Sequence, residues 1–346
     1  MKKILSFLLV LLVSTVITQA QDLDNPGEYM SAMYKTHQEM DQKYMAYTSA
    51  TAHGKRARKV EKLRLQVLET IEKTKDKIMD LPFYKGDKSL RQSNIDYVDF
   101  CYQIFNEDYK KIVNEEEIAE QSFDEMQAHI LFREKVDEKL KQANDNVNKA
   151  SKDFAAKYKV NLIAGGKDDL GEKMEQANKV SKYYKPVYLI FFKCNWQNNA
   201  VTKALNLKKI NDAEQARMSV IKYANEGLIE LEKVVAFEGD GSVKMACRQA
   251  LQGFKSLAEN ENAKATDFIL KSESFEKLKK AMDAKDASER TKDDVDNFNK
   301  AVKEYNAAVN LSNQLGVNAN TKQNDILKNW EETVAAFFDT HTPKYR

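Results

Sequence analysis

Glycine and proline are rare in this chain, and their positions divide it into segments. Only 11 glycines and 4 prolines occur among 346 residues, and most of the glycines fall at apparent breaks. Between the breaks, apolar residues recur every three or four positions, as they do from Val60 to Leu81 and from Ile221 to Val234. This spacing places the apolar side chains on one face of a helix, and no stretch alternates clearly at period two. The sequence therefore predicts an all-α fold.

The second half of the chain repeats features of the first at a nearly constant offset. Residues 83–90 match 236–243 at an offset of 153, residues 122–126 match 274–278 at 152, and residues 146–154 match 297–305 at 151. A weaker match at 154 pairs Val180, Tyr183 and Tyr184 with Val334, Phe337 and Phe338. Ordered matches at one spacing are typical of an internal duplication. We therefore predict two tandem repeats of a four- to five-helix bundle unit of about 150 residues, over 27–184 and 185–339.

The breaks and the periodicity predict five helices in each unit. In the first unit we expect helices near 27–52, 55–81, 88–113, 116–159 and 168–184, and in the second near 186–205, 209–236, 242–270, 273–313 and 321–339. Pro186 supports the boundary, because proline disfavours helix at the residue before it and suits the first turn of a new helix. A continuous but kinked helix through Pro186 is the alternative. Ser89 and Ser242 are expected to cap the third helix of each unit.

The first 20 residues have the composition of a cleaved secretory signal peptide. Lys2 and Lys3 precede an apolar run from Ile4 to Ile17, and small residues at Thr18 and Ala20 suit signal peptidase. The run has 14 residues, fewer than the roughly 20 that a membrane-spanning helix needs, so a retained anchor is the weaker alternative. We expect export to the periplasm or the cell surface.

Charge argues against nucleic acid as a partner. Removing Lys2 and Lys3 with the signal peptide lowers the count of basic residues from 55 to 53, against 53 acidic residues. A duplex-binding protein usually has a basic surplus, because contacts to phosphate drive its affinity. The balanced charge therefore disfavours nucleic-acid binding.

The three cysteines are too few for a disulfide framework. Cys101, Cys194 and Cys247 are an odd number, so one intramolecular bridge is the most they can form. Each lies in an apolar helical stretch, where a free cysteine behaves as a small hydrophobic residue. The sequence favours buried thiols.

Basic residues cluster at the start of the second predicted helix. The cluster consists of Lys55, Arg56, Arg58, Lys59, Lys62 and Arg64. Cations at that end oppose the helix dipole, so an anion or a nearby carboxylate is needed to compensate them. One interpretation is a site for an anionic lipid or an acidic glycan. The other, which charge runs on helices usually favour, is a solvated face balanced by acids elsewhere.

The most aromatic stretch of the chain falls where the two predicted units meet. It includes Tyr183, Tyr184, Tyr188, Phe191 and Phe192. Aromatic residues at helical spacing are normally core, which favours a packed seam between the units. A groove for a lipid or another apolar ligand is the alternative.

No catalytic, cofactor-binding or metal-binding motif is recognisable in the sequence. Glu125 and His129 share a helix face, but the second unit has Lys277 and Ala281 at the matching positions, so no repeated di-iron pair exists. No Ser, Cys or His lies in a nucleophile motif. We therefore expect no cofactor, no metal and no enzymatic activity.

Two family resemblances accompany these patterns. The leader ending Thr18-Gln19-Ala20-Gln21 and the long helices rich in Lys, Glu, Asn and Ala resemble uncharacterised helical surface or periplasmic proteins of Gram-negative bacteria, in particular a surface-protein family named from a spirochaete locus. The segment 298–306, Phe-Asn-Lys-Ala-Val-Lys-Glu-Tyr-Asn, is similar to a stretch of LemA-type helical proteins. Neither resemblance implies an activity for a particular residue.

Taken together, these features predict an exported interaction or structural protein without enzymatic activity. Its helical faces would bind an unidentified macromolecule, either a protein or an envelope component. A binding protein for a lipid or another apolar ligand at the junction is the first alternative, and an uncharacterised enzyme is the second.

Overall fold

The computed structural model describes residues 23–114, 120–162 and 169–345, and most of these residues are helical. Isolated bridges at Tyr84 and Asp87 and at Phe237 and Asp240 are the only β-type pairing among them. The predicted all-α class is confirmed. The predicted signal peptide, residues 1–20, and the glycines at 165 and 166 lie outside the described residues.

Ten α-helices are described. They are α1 (Pro26–Ala52), α2 (Ala57–Asp80), α3 (Ser89–Gln103), α4 (Tyr109–Asn114), α5 (Phe123–Lys157), α6 (Asp169–Asn206), α7 (Ile210–Glu232), α8 (Ser242–Leu257), α9 (Ala263–Asp283) and α10 (Lys292–His341). A π-helical segment, Ile104–Asp108, joins α3 to α4, and a second, Ala258–Asn262, joins α8 to α9. A short 3₁₀ turn, Ala287–Glu289, lies between α9 and α10.

The buried side chains form two large hydrophobic cores. The first is built by α1, α2, α3 and α5 and includes Tyr29, Ile71, Val98 and Phe154. The second is built by α6, α7, α8 and α10 and includes Phe191, Leu231, Phe254 and Phe337. The three cysteines are free and buried, as predicted. Burial raises the pKa of the Cys101 and Cys194 thiols to about 12, so both stay protonated near neutral pH.

A small third cluster and several polar contacts, among them the ion pair of Lys185 with Asp137 at 3.0 Å, join the two halves of the molecule. Phe192 of α6 packs with Met126 and Ile130 of α5, and the Trp196 Nε1–H donates to the Gln121 carbonyl at 2.9 Å. At the far end, His53 Nδ1 lies 3.0 Å from Asp339 Oδ1, and the Ser49 hydroxyl accepts from the Tyr345 N–H at 3.0 Å.

Helix α6 runs without a break through Pro186, so the predicted helix ends at 184 and 186 are wrong and the continuous alternative holds. A proline inside a helix removes one hydrogen bond and costs about 3 kcal/mol. The residues that follow offset this cost, because Val187 is fully buried and Phe191 is only 4% exposed in the second core.

The break between the last two helices is also misplaced by the sequence. We expected a helix over 273–313 and another over 321–339, but the turn lies between Asp283 and Lys292, and α10 continues through Gly316. A capping box of Thr291 and Asp294 starts α10. Gly316 has open space around it, and one glycine inside a helix costs only about 1 kcal/mol, so it does not end the helix.

Turns of the same form precede α3 and α8. In each, two successive residues have positive φ: Lys85 (48°) and Gly86 (82°) in the first, Glu238 (49°) and Gly239 (90°) in the second. The next residues, Asp87 and Asp240, accept the N–H groups of Ser89 and Ser242 at 2.8 and 2.7 Å. The aspartate carboxylates therefore satisfy the helix starts, and the expected capping by the serine side chains is wrong.

A contact between an arginine and a π-segment carbonyl recurs at an offset of 153 residues. Arg64 pairs with Glu61 and donates to the Phe105 carbonyl of the first π segment at 2.6 Å. Arg217 pairs with Glu214 and donates to the Ala258 carbonyl of the second π segment at 3.4 Å. A π-helical turn disturbs the regular backbone ladder, so an arginine beneath it can supply a missing donor. All three pairs of positions are 153 residues apart.

The ring packing in the two cores pairs residues differently from the sequence match of Tyr183 with Phe337. Phe154 packs on Tyr29 and Tyr84 at 5.8 and 5.3 Å, and Phe337 packs in the same way on Tyr183 and Phe237 at 5.4 and 5.6 Å. Tyr183 therefore has the role of Tyr29, at an offset of 154, and is not the counterpart of Phe337. Phe337 has the role of Phe154, at an offset of 183.

The stretch from the π segment to the central phenylalanine is 49 residues long from Phe105 to Phe154 and 79 residues long from Ala258 to Phe337, so the second half has 30 more residues there. They lie between the second π segment and Phe337. At an offset of 183 the first residue of α5, Phe123, corresponds to position 306, yet α10 begins 14 residues earlier at Lys292. Helix α10 therefore extends about 20 Å beyond the equivalent start, and α9 runs back alongside it.

The two arginine contacts predict unequal losses of stability. Arg64→Met leaves the Phe105 carbonyl without its donor in a site where Arg64 is 3% exposed, so we expect a loss of about 2 kcal/mol in the free energy of unfolding. Arg217→Met removes a longer bond, and about 1 kcal/mol is expected. Chemical denaturation measures both, with exposed Arg58→Met as a control that should change stability by less than about 0.5 kcal/mol. An equal or larger loss for Arg217→Met would contradict this account.

Candidate partner-binding hairpin

Helices α9 and α10 form a hairpin that projects from the second core. From Leu270 to Asn329 not one residue is buried, whereas Ile269 and Trp330 on either side are 7% and 4% exposed. We call residues 270–329 the projecting hairpin. A long helical segment without buried residues gains little from its own core, so its exposed faces become the first candidates for function.

The base of the projecting hairpin is fixed to the second core. Gly253 of α8 has no side chain, and a Cβ there would lie 2.5 Å from Ile326 of α10, so a larger residue at this position would require the Ile326 side chain to shift. Glu261, buried in the π segment, forms an ion pair with Lys322 of α10. These contacts set the direction in which the hairpin leaves the core.

Aromatic rings hold the two helices of the hairpin together. Phe275 of α9 stacks on Tyr305 of α10 with ring centroids 4.4 Å apart, and Phe298 lies 6.1 Å from Phe275. Six half-buried residues of α10 recur at steps of three and four residues. They are Phe298, Ala301, Tyr305, Ala308, Ser312 and Leu315. This is the spacing by which helices pack side by side in coiled coils.

The tip of the hairpin is fixed by polar contacts. The Asp294 carboxylate accepts the Thr291 N–H at 2.9 Å and pairs with Lys285 at 2.7 Å. Lys285 and the Thr291 N–H lower the pKa of Asp294 to about 2, so the carboxylate stays charged at any ordinary pH. The sequence contained this signal, because Thr291 and Asp294 have the spacing of a capping box, but the periodicity of residues 273–313 concealed it.

An apolar groove of about 690 Å³ runs along one side of the hairpin. Its apolar lining consists of Phe268, Leu270, Phe275, Leu278, Leu311 and Leu315. Leu270, Leu278 and Leu311 are 47%, 37% and 53% exposed. Apolar residues clustered along an open groove mark a surface that gains free energy when a partner covers it.

Charges of both signs border the groove. Lys264, Asp267 and Lys271 stand on α9, and Glu304 stands on α10. Lys271 and Glu304 are exposed, and neither has an ion-pair partner in the part of the chain that the structure describes. The groove therefore offers an unpaired cation on one rim and an unpaired anion on the other.

The aromatic residues predicted at the junction are packed. Tyr183 lies against Phe237 at 5.3 Å, and Tyr184 against Phe338 at 4.9 Å. Phe191 stacks on Trp330 at 4.1 Å. Tyr188 and Phe192 contribute to the small cluster between the halves. These five residues thus fill the second core and the junction, and the apolar groove lies elsewhere, on the hairpin.

The predicted basic cluster is divided by the structure. Arg64 is buried and paired, so its inclusion in a surface anion site is wrong. The remaining residues, Lys55, Arg56, Arg58, Lys59 and Lys62, are all exposed and have no ion-pair partner among the described residues. Helix α2 also begins without an acidic residue in its first turn and without a side-chain cap. Within the described ranges these five cations are therefore uncompensated.

Within the described ranges, no group of three potential metal-ligating side chains occurs. None of the described helices has the length and apolar character needed to cross a membrane. No protein-family model, no curated protein and no solved structure matches the chain. The resemblances to bacterial surface proteins and to LemA-type proteins stay predictions.

Proposed function

We propose that this chain is an exported interaction protein without enzymatic activity, built from two tandem helical units, and that the projecting hairpin of the second unit binds a macromolecular partner. The observation that carries the proposal is the hairpin itself. It combines a segment without a buried residue and an apolar groove bordered by unpaired charges. Export rests on the composition of residues 1–20.

Repeated contacts support the tandem architecture. The turns before α3 and α8, the arginine contacts beneath both π segments and the aromatic triads around Phe154 and Phe337 recur in the same order along the chain. Helical bundles of unrelated origin have no reason to share a π segment with an arginine beneath it. The proposed units differ chiefly in the projecting hairpin, and a feature present in one unit only is not required for the shared packing.

The energetics of the groove support a binding role. Removing apolar surface from water is favourable by roughly 25 cal/mol for each Å². A partner that covers Leu270, Leu278 and Leu311 therefore gains free energy of binding from each of them. Surface charges around an apolar centre add specificity and orientation more than affinity. Such a surface suits a protein partner with a complementary helical face.

The alternative of a lipid or another apolar ligand at the junction has less support. Its residues are in ring-to-ring contact with each other and with Trp330, Phe237 and Phe338, and a ligand would have to displace those contacts. The enzyme alternative has no supporting observation, since the conspicuous surface features are apolar and basic.

The five uncompensated cations favour a second candidate function, binding of an anionic partner such as an acidic glycan or an anionic lipid surface. We expect Arg58→Glu with Lys59→Glu to lower binding to vesicles containing anionic lipid, measured by sedimentation at low salt, because long-range attraction between exposed charges is screened at high salt. The matched control is Lys208→Glu with Lys209→Glu at the corresponding corner before α7, which should bind like the wild type. Equal binding by both double variants, or none by the wild type, would exclude this candidate.

Site-specific crosslinking in the producing cell tests the main proposal. We expect a photo-crosslinking residue in place of Leu311 or Leu278 to give discrete adducts, because both side chains lie in the groove. The control position is Val235, which is 81% exposed but lies outside the hairpin, and it should give none of those adducts. Absence of adducts from both groove positions, or the same adducts from Val235, would contradict the proposal.

A further inference from the structure

The surfaces through which a further helical unit would stack on this chain are polar. In the first unit, α5 is covered by α6 through Leu189, Phe192 and Trp196. At the offset of 154 that relates α6 to α1, the corresponding residues of α1 are Lys35, Gln38 and Gln42, which are exposed. Terminal units of a stacked array have polar outer faces of this kind. A second copy therefore cannot extend the stack by packing its α1 on α10 in the way that α6 packs on α5.

The surface at the opposite end, on α10, also lacks the apolar residues that stacking of a further unit would need. The residues of α5 that contact Phe192 are Met126 and Ile130. At the offset of 183 their counterparts on α10 are Val309 and Asn313, and Asn313 is exposed. This face of α10 thus lacks the apolar pair that receives α6 in the first unit. The groove between α9 and α10 is a different surface, and head-to-tail stacking leaves it uncovered.

The groove is complementary to itself. The stacking of Phe275 on Tyr305 sets the register of the two helices. Lys271 lies one turn before Phe275, and Glu304 adjoins Tyr305, so the two charges stand within about one turn of each other on opposite rims. A two-fold axis along the hairpin places α9 of one copy over α10 of another. Lys271 of each copy then faces Glu304 of the other.

The balance of charges that line the groove permits this arrangement. The four charged residues that line the groove are two lysines, one aspartate and one glutamate, so their charges cancel. Two identical surfaces of one sign would repel each other, whereas an isologous interface needs both signs on the same patch. The exposed leucines, Leu270, Leu278 and Leu311, supply the apolar centre.

We propose that the groove of the projecting hairpin is covered by the same groove of a second copy, which gives a two-fold dimer in the form of a four-helix bundle. This inference rests on the proposed function, in that it names the partner of the same surface. A face about 20 Å long and two helices wide buries on the order of 1,200 Å² in total, at the lower limit for specific association. The dimer is accordingly weak and dependent on concentration.

Sedimentation equilibrium of the purified chain, with charge exchange, tests the dimer. Lys271→Glu places two acids opposite each other, and Glu304→Lys places two lysines opposite each other, so each variant should weaken association about tenfold. The double variant Lys271→Glu with Glu304→Lys restores opposite charges and should associate as the wild type does. Leu311→Glu should abolish association, and Lys280→Glu, away from the groove, should have no effect.

Each result decides between dimer and monomer. A wild-type chain that stays monomeric at its highest soluble concentration overturns self-association. Self-association through this groove is also overturned if Leu311→Glu leaves the dimer intact, or if the double exchange does not restore it.

The crosslinked adduct at Leu311 separates the two proposals. An adduct with twice the mass of the chain supports both. An adduct with another protein overturns self-association and supports the binding function, and no adduct contradicts both.

Discussion

The architecture depends on α6, the helix that belongs to both halves of the molecule. One face of α6 places Val187, Phe191 and Val201 in the second core, and another places Phe192 and Trp196 against α5. Since the helix is continuous through Pro186, the residues that it places in the second core and those that it places against α5 lie on one element. The burial of aromatic side chains on two sides outweighs the hydrogen bond that proline removes.

Outside these cores, the projecting hairpin gathers exposed apolar side chains along one open groove. Helix α6 covers the start of α5. Among the described residues, no helix covers the projecting hairpin of α9 and α10 in the same way. Ring stacking of Phe275, Phe298 and Tyr305 is sufficient to hold two helices together, and it leaves the leucines beside it in water. The proposed binding role rests on that combination more than on any charge pattern.

Local rules predicted those parts of the fold that local contacts determine. The all-α class, the buried thiols and the turns before α3 and α8 follow from periodicity and from the Gly-Asp dipeptides. The predicted helix break at Pro186 is wrong because the packing of Val187 and Phe191 outweighs the tendency of proline to end a helix. The sequence match of residues 146–154 to 297–305 does not correspond to similar packing, because amphipathic helices share a residue pattern whether they lie in a core or on the surface. Tyr305 packs within the hairpin, whereas Phe154 packs in a core.

The candidate site was harder to predict than the fold. The hairpin residues look like ordinary amphipathic helix in sequence, and only the tertiary structure shows that their apolar face has no cover. The basic cluster was visible from the sequence, yet the role of Arg64 was not, because its partner Phe105 lies 41 residues away along the chain. Contacts that depend on distant parts of the chain are not encoded in local spacing.

Native-state hydrogen exchange on the dilute chain tests the central claim, that closed cores support an uncovered hairpin. Amides of α7, whose Val220 and Leu231 are fully buried, should exchange slowly, through global unfolding. Amides from 271 to 283 and from 296 to 320 should exchange about a hundredfold faster or more, through local opening, and should slow as the concentration of the chain rises. Equal protection of α7 and the hairpin at the lowest concentration would contradict the account.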